Sequence, residues 1–177
     1  MGARKNREGE FVQSLRDWGE VFMLTIWAQS IMCHAIAEKT ATGGVTAIER
    51  RDELMKKSIS EHWKELQLTF PGPVSRKEEL DADSVILLRN TLGHCTISTG
   101  RQFALFRPRP SGKRRLGALE EAGRVVAPPD AAEPPAVILR ENDSAWYRHN
   151  RDLVLSFLEN TVLRLTRLHG VQDAKIC

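Results

Sequence analysis

Val85-Ile86-Leu87-Leu88-Arg89-Asn90-Thr91-Leu92-Gly93-His94 is a run of aliphatic residues that passes directly into a polar motif. Upstream, Ser75-Arg76-Lys77-Glu78 has the form of a capping box, in which a hydroxyl and a carboxylate each satisfy an orphan backbone donor. Asp83 or Ser84 is a second candidate cap for a further turn. The stretch therefore reads as the end of a strongly buried helix. Gly93 is placed to break or bend it, because glycine readily takes the left-handed conformation that ends helices.

Outward from this stretch the pattern stays helical. Between Glu10 and Lys39, apolar residues Phe11, Leu15, Trp18, Phe22 and Ile26 recur every three or four positions, and Thr40, Gly43 and Gly44 end the run. Met23, Leu24 and Trp27 make that helix apolar on more than one side, so it belongs in the core or at a subunit interface. A second helix begins at the capping box Thr46-Ala47-Ile48-Glu49 and carries the stripe Ile48, Met55, Ile59, Trp63, Leu66 and Phe70 up to Pro71-Gly72-Pro73. Its bases and acids are interleaved, the pattern of a solvated face.

A last helix runs from about Asp143, its cap, to Leu168, with Trp146, Leu153, Phe157, Leu158 and Leu165 apolar and Gly170 as the stop. Between the motif and that helix, Thr96-Ile97-Ser98 and Gln102 to Phe106 flank Thr99-Gly100, which predicts a short β-hairpin. Residues 107–115 are basic, and 127–135 are rich in proline and alanine. The fold class expected is all-α, one domain over 1–177, with 95–135 a hairpin and proline-rich loop inserted before the last helix at about 143–169.

Composition narrows the classes of function. A chain of 177 residues with 41% hydrophobic and 28% charged residues can bury a core without metal or disulfide staples. Its cysteines, Cys33, Cys95 and Cys177, lack CxxC spacing and read as free thiols of a reducing cytoplasm. The basic start is followed by Glu8 and Glu10 rather than an apolar run, so no signal peptide is expected. The most apolar stretch, Val21 to Ala28, is too short to cross a bilayer, and no membrane partner is expected. A net charge of +3 permits nucleic-acid binding without arguing for it. Ser111-Gly112-Lys113-Arg114 lacks the first glycine and the Ser/Thr of a phosphate loop, and the histidines and cysteines show no zinc spacing, so neither cofactor nor metal is expected.

The chemistry concentrates in Arg89, Asn90 and His94. Arginine offers a permanent charge and a fork of donors for phosphate, and histidine exchanges a proton near neutral pH. Those are the two parts that metal-free cleavage of an RNA phosphodiester requires. Residues five apart on a straight helix point about 140° away from each other. Either Gly93 folds His94 back, or two chains pool their motifs in one cleft. Asn90 and His94, four apart, can share a face, where the amide would orient the imidazole. The bland alternative is an arginine paired locally and a histidine at a helix end, where its charged form suits the C-terminal dipole.

Arg89-Asn90-Thr91-Leu92-Gly93-His94 resembles the R-polar-x(3 to 5)-H signature of HEPN domains, and the apolar helix running into it agrees. The resemblance implies a HEPN-like helical bundle, a homodimer in which two motifs face one cleft, and a metal-independent endoribonuclease of toxin–antitoxin or phage-defence type acting on single-stranded RNA. It implies that Arg89 and His94 are catalytic and Asn90 supports them, with an antitoxin or defence-system protein as a further partner. Toxins of this family paired with a nucleotidyltransferase antitoxin often carry a tyrosine two residues after the histidine; Thr96 stands there. Arg101, Arg107, Arg109, Lys113, Arg114 and Arg115, with Phe103 and Phe106 nearby, are candidates for guiding an RNA backbone. The alternative reading is a non-catalytic HEPN-type dimerisation or RNA-binding module.

Overall fold

The computed structural model describes residues 2–94, 96–97, 103–106, 117–118, 121, 137–140 and 144–171. These residues are mostly helical: α1 (Gly2–Thr40), α2 (Ala47–Leu54), α3 (Ile59–Thr69), α4 (Arg76–His94), α5 (Ser144–Phe157), a π-helical segment (Leu158–Leu163) and α6 (Arg164–Leu168). Three short strands, β1 (Thr96–Ile97), β2 (Phe103–Phe106) and β3 (Val137–Arg140), form an antiparallel sheet in the order β1-β2-β3. Thr96 pairs with Leu105 and Phe103 with Arg140. The strand at 137–140 lies just past the segment read from sequence as loop. Asp143 and the proline-rich 127–135 segment fall outside the described residues.

α1 is the central element, contacting α2, α3, α4 and α5. Its buried line is Val21, Thr25, Ala28, Met32 and Ile36, shifted from the expected Phe11-Leu15-Trp18-Phe22-Ile26 line, of which Leu15 is exposed and Trp18 and Phe22 are half-buried. The reason is steric: a helix packed by four others needs small or slender residues at the contact, and the bulky aromatics ride at its edges. The segment Leu15–Thr40 is long and apolar enough to cross a bilayer by length and composition, against the expectation that the apolar stretch stopped at Ala28. A little over half of its window is buried inside the protein, which makes it the core helix of the bundle. Gly43 and Gly44, at φ of 66° and 90°, make the left-handed turn that follows.

The stretch expected as one helix from Thr46 to Phe70 is two. Ser58 opens a capping box of its own: its N–H donates to Glu61 Oε2 at 2.7 Å and its hydroxyl accepts from the Glu61 N–H at 3.3 Å. α2 ends at Leu54 and Ile48 and Met55 are exposed, while Ile59, Trp63 and Leu66 of α3, and Phe70 just past its end, enter the core. Glu65 joins the two helices, accepting from Arg50 and from Lys57 at 2.6 Å each.

α4 is one helix from its Ser75–Glu78 capping box to His94. Neither Asp83 nor Ser84 begins a new turn; the Ser84 hydroxyl donates to the Leu80 carbonyl within the helix at 2.7 Å. Gly93 does not end or bend it, since it lies inside the helix and is absent from the glycines with positive φ, Gly43, Gly44 and Gly170. A Cβ at Gly93 would stand 3.4 Å from the Phe22 ring, so the end of α4 rests on α1. At the other end, Arg164 donates to Glu78 Oε1 at 2.7 Å and to the Pro73 carbonyl at 2.9 Å, fastening the C-terminal helix to the start of α4.

Candidate functional site

α4 delivers the motif by burying what precedes it. Ala82, Val85, Ile86 and Leu88 are in the core, Thr91 and Leu92 remain buried, and Arg89 and Asn90 lie half-buried at the core's edge. The segment therefore has little freedom to move its polar groups, which suits a binding constellation held on a rigid element.

Arg89 is not among the ion-paired cations of the fold. Arg50, Lys57, Lys77, Arg151 and Arg164 each face a carboxylate. Among the described residues Arg89 forms no ion pair; its Nη1 reaches Asn90 Oδ1 at 3.5 Å, the outer limit of a hydrogen bond. Its Nε is buried without a hydrogen-bond partner, and so is the hydroxyl of Thr91 two residues on. Trp18 Nε1 is a third such atom, on a ring stacked against Phe22 at 5.2 Å, and Phe22 is the residue that Gly93 approaches. Among the described residues, three of the four buried, unpartnered side-chain polar atoms thus belong to the motif or to the aromatic pair beside it. Buried donors are normally satisfied, and Arg89 in this setting keeps its capacity for an anion.

The expected partnership of Asn90 with His94 involves a side chain outside the described residues; the Asn90 Oδ1 lies 3.5 Å from Arg89 Nη1. Positions 89 and 94 stand about 140° apart around the axis of an unbroken helix. An unbroken α4 gives no support to folding back at Gly93, the first of the two routes to convergence. Arg101, Arg107, Arg109, Lys113, Arg114 and Arg115 fall outside the described residues.

A second pair of reactive types lies deep in the core. Cys33 Sγ is 3.2 Å from His62 Nε2, an approach that suggests a nucleophile and its base. Both residues are wholly buried, and His62 Nε2 is also 2.7 Å from the Leu54 carbonyl, which only an Nε2–H can satisfy. Burial pushes the Cys33 thiol up to about 11 and the His62 imidazole below its ordinary value. A thiol held protonated beside a neutral imidazole with its proton engaged is core packing. Among the described residues no group of three or more His, Cys, Asp or Glu could hold a metal ion. The recess of about 270 Å³ between α1 and α5 is lined by Asp17, Glu20, Arg148 and Arg151, whose charges balance, and it does not reach Arg89.

Trp18 and Phe22 are the neighbours of the motif that sequence reasoning did not connect with it. Their helical spacing was visible, but their contact with position 93 is long-range and leaves no local signal. No protein-family model, curated protein or solved structure matches the chain.

Proposed function

We propose that the chain is a metal-independent endoribonuclease of the HEPN type, working as a homodimer on single-stranded RNA in a toxin or phage-defence role. Arg89 holds the scissile phosphate and stabilises the charge that builds on its oxygens. His94 takes the proton of the 2′-hydroxyl as that oxygen attacks phosphorus, and the 5′-oxygen leaves as a hydroxyl on gaining a proton. The products are a 2′,3′-cyclic phosphate and a 5′-hydroxyl end. Asn90 positions Arg89, the partner it faces in the fold. An antitoxin or defence-system protein is the partner that would govern activity.

The observation that carries the reading is the Arg89 side chain, half-buried on a rigid helix with an unsatisfied Nε and no carboxylate among the described residues. The resemblance of Arg89-Asn90-Thr91-Leu92-Gly93-His94 to the HEPN signature supplies the reaction. One observation favours the second reading, a non-catalytic dimerisation or RNA-binding module: the unbroken α4 keeps positions 89 and 94 apart within one chain.

Cleavage of a labelled single-stranded RNA in EDTA separates them. The nuclease loses cleavage in His94→Ala and Arg89→Ala while keeping its fold and assembly, and its products carry cyclic phosphate. Full-rate cleavage by His94→Ala would remove the mechanism. RNA binding lost in Arg89→Ala, with no cutting by the wild-type dimer, is the result the binding module predicts.

A further inference from the structure

Among the described residues, the face of α1 opposite its buried line carries exposed apolar side chains. At about 100° per residue, Val12, Leu15, Gly19, Met23, Ile26 and Trp27 fall within about 60° of one line along the helix, opposite Val21, Ala28 and Met32. Val12, Leu15, Met23 and Trp27 are 49%, 41%, 61% and 39% exposed. Gly19 sits mid-stripe, and a Cβ there would meet nothing within 4 Å, so the chain's own packing does not require a glycine at that place. An exposed stripe of this length with a small residue at its centre has the form of a helix-crossing surface.

We infer that this face binds the same face of a second copy, with the two α1 helices antiparallel about a two-fold axis near Gly19. The charges choose the occupant and its direction. In an antiparallel two-fold pair each flank of one helix meets the same flank of the other, because the symmetry operation preserves that side. Arg16 and Glu20 lie on the same side of the stripe's centre line, at about 40° and 80° from Val12, Arg16 between Met23 and Trp27 in angle and Glu20 just beyond Trp27. With the axis near Gly19, Arg16 of each copy comes level with Glu20 of the other to within about 3 Å along the helix. Two opposite-charge pairs then close over one edge, while Leu15 stands across from Met23 and Val12 from Ile26. A parallel pair would set Arg16 and Glu20 against the aromatic flank of Trp18 and Phe22. Glu20 is free to turn outward, as its contact with Arg151 is long, 3.7 Å, and it is half exposed.

Phe22, which touches Gly93, lies on the flank opposite Arg16 and Glu20. By the same symmetry the α4 ends of both copies come to one side of the pair, on either side of the axis. That consequence rests on the ribonuclease reading for its significance; the docking does not, and its test needs no RNA.

Sedimentation velocity of the full chain at micromolar concentration, with circular dichroism to check the fold, tests it. Wild type should sediment as two chains and Met23→Glu as one. Arg16→Glu should weaken the dimer ~10-fold or more, and Arg16→Glu with Glu20→Arg should restore it, as charge pairs across an interface permit. In a Cys95→Ser, Cys177→Ser background, Gly19→Cys should oxidise to a covalent dimer, which also decides the matter if Met23→Glu fails to fold. A monomeric wild type overturns the inference, as does a dimer indifferent to both Met23→Glu and Arg16→Glu, or a monomer that instead binds vesicles of phosphatidylcholine and phosphatidylglycerol through α1.

Discussion

Replacing Glu78 by glutamine should destabilise the protein in a way that fades with acid. Glu78 accepts from the Ser75 N–H, the Ser75 hydroxyl and Arg164, each at 2.7 Å. Burial alone would raise its carboxyl, but those three donors and the Arg164 charge outweigh it and bring the pKa down to about 2 from 4.5. Folding thus favours the ionised form. The stability is fully present above 4.5, where the unfolded chain is also ionised, and is lost as pH falls towards 2. The difference sets a ceiling of ~3 kcal/mol. Arg164 is one-third exposed, so screening reduces this to an expected ~1–2 kcal/mol at neutral pH. Urea unfolding of wild type and Glu78→Gln at matched pH measures it, and the comparison cancels groups common to both. More than half of the gap should be gone by about pH 3. A double cycle with Arg164→Met should leave ~1 kcal/mol of coupling. A gap that holds constant from neutral pH to about pH 3 would refute the reasoning, since the neutral amide would then be losing shape or packing rather than charge.

The buried His62 titrates in a different window: burial lowers its pKa below 6.5, so the unfolded chain takes up the proton first and stability declines as pH falls from about 6.5. Its ring C–H resonances should titrate at lower pH than those of an exposed histidine, which is half titrated at about 6.5; a normal titration would contradict the lowering by burial. Cys33, with its thiol pushed up to about 11, should resist alkylation by iodoacetamide at pH 8 in the native protein and react on unfolding; native-state modification of Cys33, located by peptide mapping, would count against it. Gly93→Ala should be neutral to stabilising by up to ~1 kcal/mol in urea unfolding, because the position is helical and the new methyl meets Phe22 at ordinary contact distance. A loss beyond ~1 kcal/mol would mean that position 93 needs a conformation closed to alanine.

What was legible in the sequence was local and reciprocal. Thr46 with Glu49 and Ser75 with Glu78 mark helix starts because each side chain satisfies the other's backbone, so spacing suffices to find them. The third box, Ser58 with Glu61, was hidden by the apolar period: Met55 and Ile59 are four apart, so the stripe keeps its phase across the break between α2 and α3. Periodicity reports phase, and a four-residue turn preserves it. The error on α1 has another origin. Large side chains mark a helix as amphipathic, but in a helix contacted by four others the fully buried positions include Thr25, Ala28 and Cys33, and volume alone points to the wrong face.

The site was legible as chemistry and not as geometry, and the reason lies in Gly93. From sequence, a glycine between an arginine and a histidine offers a bend that would gather them in one chain. Its neighbours argue the other way: Thr91 and Leu92 are buried, so the helix is held by packing up to position 92, and glycine's freedom goes unused where the Phe22 ring supports the last turn. With α4 unbroken, positions 89 and 94 stand about 140° apart around its axis, so the proposed nuclease calls for a second chain. The Phe22 ring beside position 93 also places the end of α4 next to the open face of α1. If two α1 helices cross near Gly19, each Phe22 lies three residues, about 4.5 Å along the helix, from the axis, and the two motifs flank one groove. The Phe22 ring beside position 93 is thus what ties the proposed two-chain site to the proposed crossing of the α1 helices.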